Sequence, residues 1–193
     1  MARSKRSVQE SRTAWLDESG HEAAGHATVL LAAVEVSPAD AAMLRAALIS
    51  SMRSDVDRVH WRDEHPDRRH RLLAILSHHR ITAWVAVEEQ VPTKQKEAAR
   101  ARCLAALLEM LDHDGVTELV VEGRPRSDHH DLRTIRRSRT GVQLLRFGTK
   151  REPMLWIADV VAGVRAGSTT FLGGDHARWG QELRLWTEHI RRV

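Results

Sequence analysis

The spacing of apolar positions switches repeatedly along the chain between two and three to four residues, the alternation expected of an α/β protein. Thr13 to Asp17 (TAWLD) reads as a short strand and Ala27 to Val36 as a second, strongly apolar one. With Glu18 to His26 as the loop between them, the two are placed to pair as an antiparallel hairpin. Ser37-Pro38-Ala39-Asp40 then carries the marks of a helix start: a capping hydroxyl, a proline at the first helical position and an acid in the first turn. That helix is predicted to reach about Met52, with Met43, Ala47 and Leu48 turned inward. Arg58 to Trp61 is a brief extended piece, Asp67 to His78 a helix and Ile81 to Val87 a strand. Thr93 to Leu111 is a long amphipathic helix with Ala101, Leu104, Leu108 and Leu111 at helical spacing, ended by Asp114-Gly115. A strand at Val116 to Glu122, a short basic helix at Asp131 to Arg137 and a strand at Val142 to Phe147 follow. Helices at Pro153 to Ala166 and Asp175 to Ile190 close the chain. No internal repeat, low-complexity block or long linker divides it.

The 193 residues fit a single domain over 13–193 behind a disordered basic tail over 1–12, since a domain of ~150 residues is ordinary. A chain of this length buries roughly 70% of its unfolded surface and needs no disulfide to stand. Its one cysteine, Cys103, cannot bridge internally and falls in an apolar helical run, as a buried small hydrophobe would. A reducing, cytoplasmic setting is the expectation. No apolar run reaches the ~20 residues that cross a bilayer, and no hydrophobic region follows Arg3, Lys5 and Arg6 to make a secretory signal.

Charge adds a possible partner. The formal net charge is +4 and the pI about 9.9. Basic residues gather at Arg68, Arg69 and Arg71, at Arg133, Arg136, Arg137 and Arg139, and at Lys150 and Arg151. Such clusters suit nucleic acid, or simply form a solvated face.

Four carboxylates stand out by position. Asp17 ends the first strand, Glu122 ends Leu119-Val120-Val121, Asp131 opens the basic helix, and Asp159 is the one acid in MLWIADVVAGV. An ionised carboxylate among apolar neighbours costs several kcal/mol without a counter-charge or metal. Asp159 shares a helical face with Leu155, Ala162 and Gly163, and the small residues at 162 and 163 leave room for another element or a ligand. The plainer readings are a helix residue that faces solvent, or one paired with Arg165 or Lys150. Acids at strand ends together with one on a packing helix converge where open α/β sheets bind ligands. Oxygen donors suit Mg²⁺ or Mn²⁺, and two such ions roughly 3.5–4 Å apart clamp a phosphodiester.

Asp17-Glu18-Ser19-Gly20 after a short strand, His60 in VHWRDE, and the late PMLWIADVVAG together resemble the bacterial family called domain of unknown function 3800, over about Ala14 to Gly167. The resemblance implies a ribonuclease H-like mixed sheet flanked by helices and a divalent-metal-dependent nuclease activity. By position it implies a first-strand acid at Asp17, a second strand acid at Glu122, and the acid of the C-terminal helix at Asp159. Asp131, or Asp128, completes a four-carboxylate set for Mg²⁺ or Mn²⁺; Glu18 and Glu64 are weaker candidates. Glutamate at 122 departs from the aspartate common among relatives and changes the geometry.

Other motifs carry less. His21 and His26 are five apart, one too many for a zinc-protease helix. His129 and His130, beside Asp128 and Asp131, read as exposed loop residues or, less simply, as groups that position a phosphate or ligate metal, and His60 as a structural histidine or a neighbour of the carboxylates. Trp61 and Trp156 belong to the core, or, if exposed, offer base-stacking surfaces. Three functions compete: a metal-dependent nuclease, a non-catalytic nucleic-acid or protein-binding module, and a hydrolase of small phosphorylated substrates. A long basic groove favours polymers; a closed pocket favours small molecules.

Overall fold

The computed structural model describes residues 11–52, 58–168 and 187–193. Strands β1 (Thr13–Ala23), β2 (His26–Val36) and β3 (Ile81–Pro92) form an antiparallel meander. Strand β4 (Glu118–Glu122) lies parallel to β1, β5 (Gln143–Gly148) parallel to β4, and β6 (Thr187–Arg192) parallel to β3. The order across the six-stranded sheet is β5-β4-β1-β2-β3-β6. Helices α1 (Pro38–Ser50), α2 (Pro66–Leu76) and α5 (Pro153–Ser168) cover one face, α3 (Lys96–His113) and α4 (Asp128–Arg137) the other.

Strand side chains alternate between faces, and this sorts the core in two. On β2, Leu30, Ala32, Val34 and Val36 pack on the α5 side, while Val29, Leu31 and Ala33 pack on the α3 side. Covered on both faces, β2 reads as a continuous apolar run. The same parity sends Ala14 and Leu16 of β1 towards α3 and Trp15 towards α5, so Asp17, two residues after Trp15, faces α5. On β4, Leu119 and Val121 face α3, leaving Glu122 to the α5 side. Because Leu16 stands beside Val121 in the parallel ladder, the next residues along, Asp17 and Glu122, are neighbours.

Several expectations need correction. The segment predicted as a loop over Glu18 to His26 is mostly strand: β1 runs to Ala23 in register with β2, and the turn is Ala24-Gly25 alone. Both residues have positive φ, 49° and 79°, as a two-residue hairpin with mirror-image geometry requires. The polar run Glu18 to Glu22 looked loop-like because its residues are at most partly buried and its acids pair with charged groups, Glu18 with Arg100 and Glu22 with Lys96. On α1, Leu44 and Leu48 fill the core while Met43 is 62% exposed, a rotation of one residue from the predicted face. Thr187 to Ile190, assigned to a closing helix, belong to β6; the remainder of that predicted helix, 175–186, lies outside the described residues. Pairing with β3 decided the matter, since β6 satisfies one flank of β3 over Thr82 to Val87. The basic tail over 1–10 also lies outside the described residues. Arg12, placed in that tail, is anchored: its carbonyl accepts from the N–H groups of Thr117 and Glu118, and its guanidinium pairs with Glu35.

The chain before α2 turns back over α5 as a short 3₁₀ turn, Trp61–Asp63. Trp61 seats in the notch left by Gly163, where an added Cβ would stand 2.1 Å from the indole Cδ1. Gly163→Ala should therefore lower stability by about 1–3 kcal/mol, as overpacked cores do, although alanine gains about 1 kcal/mol of helix propensity. Thermal denaturation reads this as a fall of about 2–4 °C per kcal/mol. A melt at or above wild type would mean that Trp61 does not occupy the notch.

Candidate metal centre

Asp17, Glu122 and Asp159 come from a central strand, its parallel neighbour and a covering helix, and all three line one cleft of about 550 Å³. Asp17 and Asp159 are buried. The Asp17 carboxyl hydrogen-bonds with Glu122 and also receives the Glu18 N–H at 2.6 Å. Burial first, then the bond and negative charge of Glu122, then the charge of Asp159, hold the Asp17 carboxyl well above the usual carboxylate range; the Glu18 N–H pulls the other way. Lys150, just beyond β5, lies 3.6 Å from Glu122.

Asp159 is held from the opposite side. Its Oδ2 accepts from the Trp61 backbone N–H at 2.6 Å, and its Oδ1 lies 3.4 Å from His60 Nδ1. That bond, and the charges of Asp159 and Asp63, raise the His60 pKa against the opposing effects of partial burial and Arg58. The small residue at 163 does admit another element, and the element is Trp61. Neither plainer pairing for Asp159 forms: Lys150 faces Glu122, and Arg165 pairs with Glu188 at 2.6 Å.

Asp131 is placed elsewhere. It is buried outside the cleft lining, where Arg100 grips both its oxygens at 3.0 and 2.9 Å and Arg124 adds a contact at 3.1 Å. Arg100 continues to Glu18, whose carboxylate meets Nη1 and whose residue lines the cleft. Burial alone would lower the Arg100 pKa; the bond to Asp131 and the charges of Glu18 and Asp131 outweigh it and raise it. Asp131 thus stands one residue behind Glu18, joined to the cleft through a guanidinium. Asp128 caps the local turn by accepting from the Arg124 N–H, and Glu64 pairs with Arg68.

The cleft floor is acidic and its margin basic. Arg58, Arg62, Lys96 and Lys150 line it, and Arg69 lies over the Trp61 ring at 5.1 Å. None of these was singled out as a site residue in the sequence, because they come from three separate stretches, around Arg58 and Arg62, at Lys96 and at Lys150, that only the fold brings together. Trp61 and Trp156 are buried and present no stacking face. Cys103 is buried, its thiol pushed up to about 12 chiefly by desolvation, and lies off the cleft.

Among the described residues, no three His, Cys, Asp or Glu side chains are drawn together tightly enough to enclose an ion by themselves. The donor chemistry nevertheless fits a hard divalent cation: oxygen donors face one open space, where burial and two neighbouring carboxylates disfavour the charged form of Asp17 in the absence of a counter-charge.

No protein-family model and no curated protein matches the chain. Among solved structures it is similar to the RNase HII of Archaeoglobus fulgidus, seen in complex with PCNA, at a TM-score of 0.52 and 14% identity, covering 89% of this chain and 87% of that one. It also matches Bst-RNase HIII as a point mutant (TM-score 0.46, 14% identity, 79% of this chain) and in complex with Mn²⁺ (0.45, 15%, 81%). This chain spans about half the length of those two, 50% and 51%. The protein has a ribonuclease H-like α/β fold, a mixed sheet flanked by helices. Among the described residues, no helix is long and apolar enough to cross a membrane.

Two measurements follow. Arg100→Ala leaves Asp131 charged and buried and should cost about 3–5 kcal/mol, whereas Arg100→Met combined with Asp131→Leu should recover most of it. Equal losses in the single and double variants would mean that Asp131 does not depend on Arg100. A carboxyl whose folded pKa lies above its unfolded value of 3.8 imposes no penalty while both states hold the proton. The penalty grows as pH rises from about 4 towards the folded pKa, because the unfolded chain releases the proton first. In the absence of divalent cations, Asp17→Asn should flatten that fall in stability and raise the neutral-pH melting temperature by about 2–4 °C per kcal/mol removed.

Proposed function

We propose that this protein is a divalent-metal-dependent nuclease, or a closely related phosphodiester hydrolase, acting through the Asp17, Glu122 and Asp159 cluster. One observation carries the reading: three acids from separate elements share a single basic-rimmed cleft, in an arrangement that burial and mutual repulsion make costly for the fold. The ribonuclease H-like fold and the sequence resemblance to the domain of unknown function 3800 family support it.

In this reading Asp17, Glu122 and Asp159 hold Mg²⁺ or Mn²⁺, which supply charge neutralisation at the phosphodiester and activation of water. Asp131, first counted among the ligands, acts as a positioning residue by fixing Arg100, which orients Glu18 at the cleft wall. Arg58, Arg62 and Lys150 meet the flanking phosphates. The Trp61 N–H and His60 fix the orientation of Asp159. Nucleic acid is the proposed partner class.

A second reading, a binding module without catalysis, is favoured by one feature: both Asp159 oxygens already have protein partners. The two readings separate in a Mn²⁺ titration. In the nuclease reading, saturating Mn²⁺ raises the wild-type melting temperature, since ligand at about 100 times its Kd adds about 2.7 kcal/mol. Asp17→Asn loses most of that rise. Purified protein should cleave RNA, DNA or a hybrid with Mg²⁺ or Mn²⁺, and Asp17→Asn should reduce the rate by at least about a hundredfold, the scale expected when electrostatic stabilisation of a transition state is removed. No metal-dependent shift and no cleavage across those substrates would leave the binding-module reading in its place.

A further inference from the structure

Most arginines near the cleft and the central sheet are committed to acids or carbonyls, among them Arg12, Arg45, Arg68, Arg100, Arg102 and Arg124. The α4 segment differs. Arg126, Arg133, Arg136, Arg137 and Arg139 are all exposed, and none pairs with a carboxylate among the described residues. Buried Asp131 and Ile135 turn inward, so exposed His129, Arg133, Arg136 and Arg137, at i, i+4, i+7 and i+8, fall on the outward side of the helix. Arg126 and Arg139 extend the stripe at either end.

Helix electrostatics accounts for part of this. Arg136 and Arg137 sit in the last turn, where the macrodipole favours cations by about 0.3–1 kcal/mol. It does not account for Arg133 in the middle, for Arg126 before the helix or for Arg139 after it. Like charges at i, i+3 and i+4 oppose one another, so this face costs the folded protein something unless a polyanion covers it.

The helix is also rigidly tied to the cleft. Its Asp131 holds Arg100, which reaches Glu18 in the cleft wall, while Arg124 just before it pairs with Glu97 on α3. The stripe starts at the end of α4 next to the outlet of β4, where Glu122 lies, and runs away from it. Ten residues of helix extend about 15 Å, and duplex nucleic acid presents a charge about every 1.7 Å of axis.

We propose that the outward face of α4 is a docking surface for a nucleic-acid backbone, holding a polymer on the enzyme while one of its phosphodiesters lies in the cleft. The second half rests on the nuclease reading; the binding does not. It commits the substrate to a polymer spanning the distance from the cleft to α4, as opposed to a small phosphorylated molecule.

The test measures binding of labelled duplex and single-stranded oligonucleotides in EDTA, where no cleavage intervenes, at several salt concentrations. The triple variant Arg133→Glu, Arg136→Glu, Arg137→Glu should bind at least about tenfold more weakly at about 50 mM salt, and its log K against log[salt] slope should be shallower by about 2–3 for duplex. The triple lysine variant keeps the charge and should bind like wild type, which separates a lost contact from a damaged fold. Affinity and slope unchanged in the glutamate variant would overturn the proposal, as would equal loss in the lysine variant. It also falls if the glutamate variant loses binding to phosphatidylserine vesicles while its nucleic-acid binding stays intact. Binding that depends on α4 without any Mn²⁺-dependent cleavage would refute the nuclease reading and leave the docking surface standing. Cleavage of long substrates at the wild-type rate by the glutamate variant would do the reverse.

Discussion

The parallel pairing of β4 with β1 is the constraint on which the candidate centre depends. Those strands are distant in sequence, and their ladder sets Leu16 beside Val121. One residue further, both chains reach an acid, and both acids point to the α5 side because strand side chains alternate. A one-residue slip would turn Glu122 into the α3 core and its neighbour Val121 into the cleft. The apolar pattern of both strands forbids that slip, since Leu16, Leu119 and Val121 are fully buried on the α3 side. Core packing thus fixes the relative position of two charged groups that do nothing for the core.

The third acid arrives by a different route. Asp159 lies on a helix that is otherwise apolar from Met154 to Val164, so its burial follows from the packing of its neighbours. A buried carboxylate of that kind needs donors. The 3₁₀ turn at Trp61 supplies one backbone N–H, and the Gly163 notch lets it come close enough. On the far side of the sheet, Arg100 and Asp131 form a second buried charged unit, and Glu18 joins it to the cleft. Acids on both faces are compensated to different degrees: Asp131 is gripped by two arginines, whereas Asp17 faces two further carboxylates, Glu122 and Asp159, and forms no ion pair with a cation among the described residues. The least compensated group sits where a ligand could enter, the usual distribution at sites that trade stability for chemistry.

The charge of the whole molecule has a similar logic. Its modest net positive charge is unevenly spent: carboxylates neutralise many arginines around the sheet and both lysines of the cleft margin, while the α4 face keeps its charge among the described residues. Such separation steers anionic partners towards one side of a protein and has little to do with the fold itself.

Much of this architecture was legible in the sequence, because it follows from local rules. The run Ala27 to Val36 could only be a strand buried on both faces, Ser37-Pro38 had to open a helix, and the late apolar segment with a lone aspartate had to be a buried helix carrying an anomalous charge. The candidate acids Asp17, Glu122 and Asp159 were visible for the same reason: each interrupts or ends an apolar run. What tertiary structure decided was everything that depends on partners remote in the chain. Asp131 looked equivalent to the others until Arg100, on another helix, was seen to occupy it. Thr187 to Ile190 follows helical spacing, yet it pairs with β3 because a strand edge offers hydrogen bonds that no local propensity can anticipate. Of the basic margin of the cleft, Lys150 was visible as part of a basic cluster, but its meeting with Arg58, Arg62 and Lys96 was not, since proximity across a sheet leaves no trace in the spacing of residues.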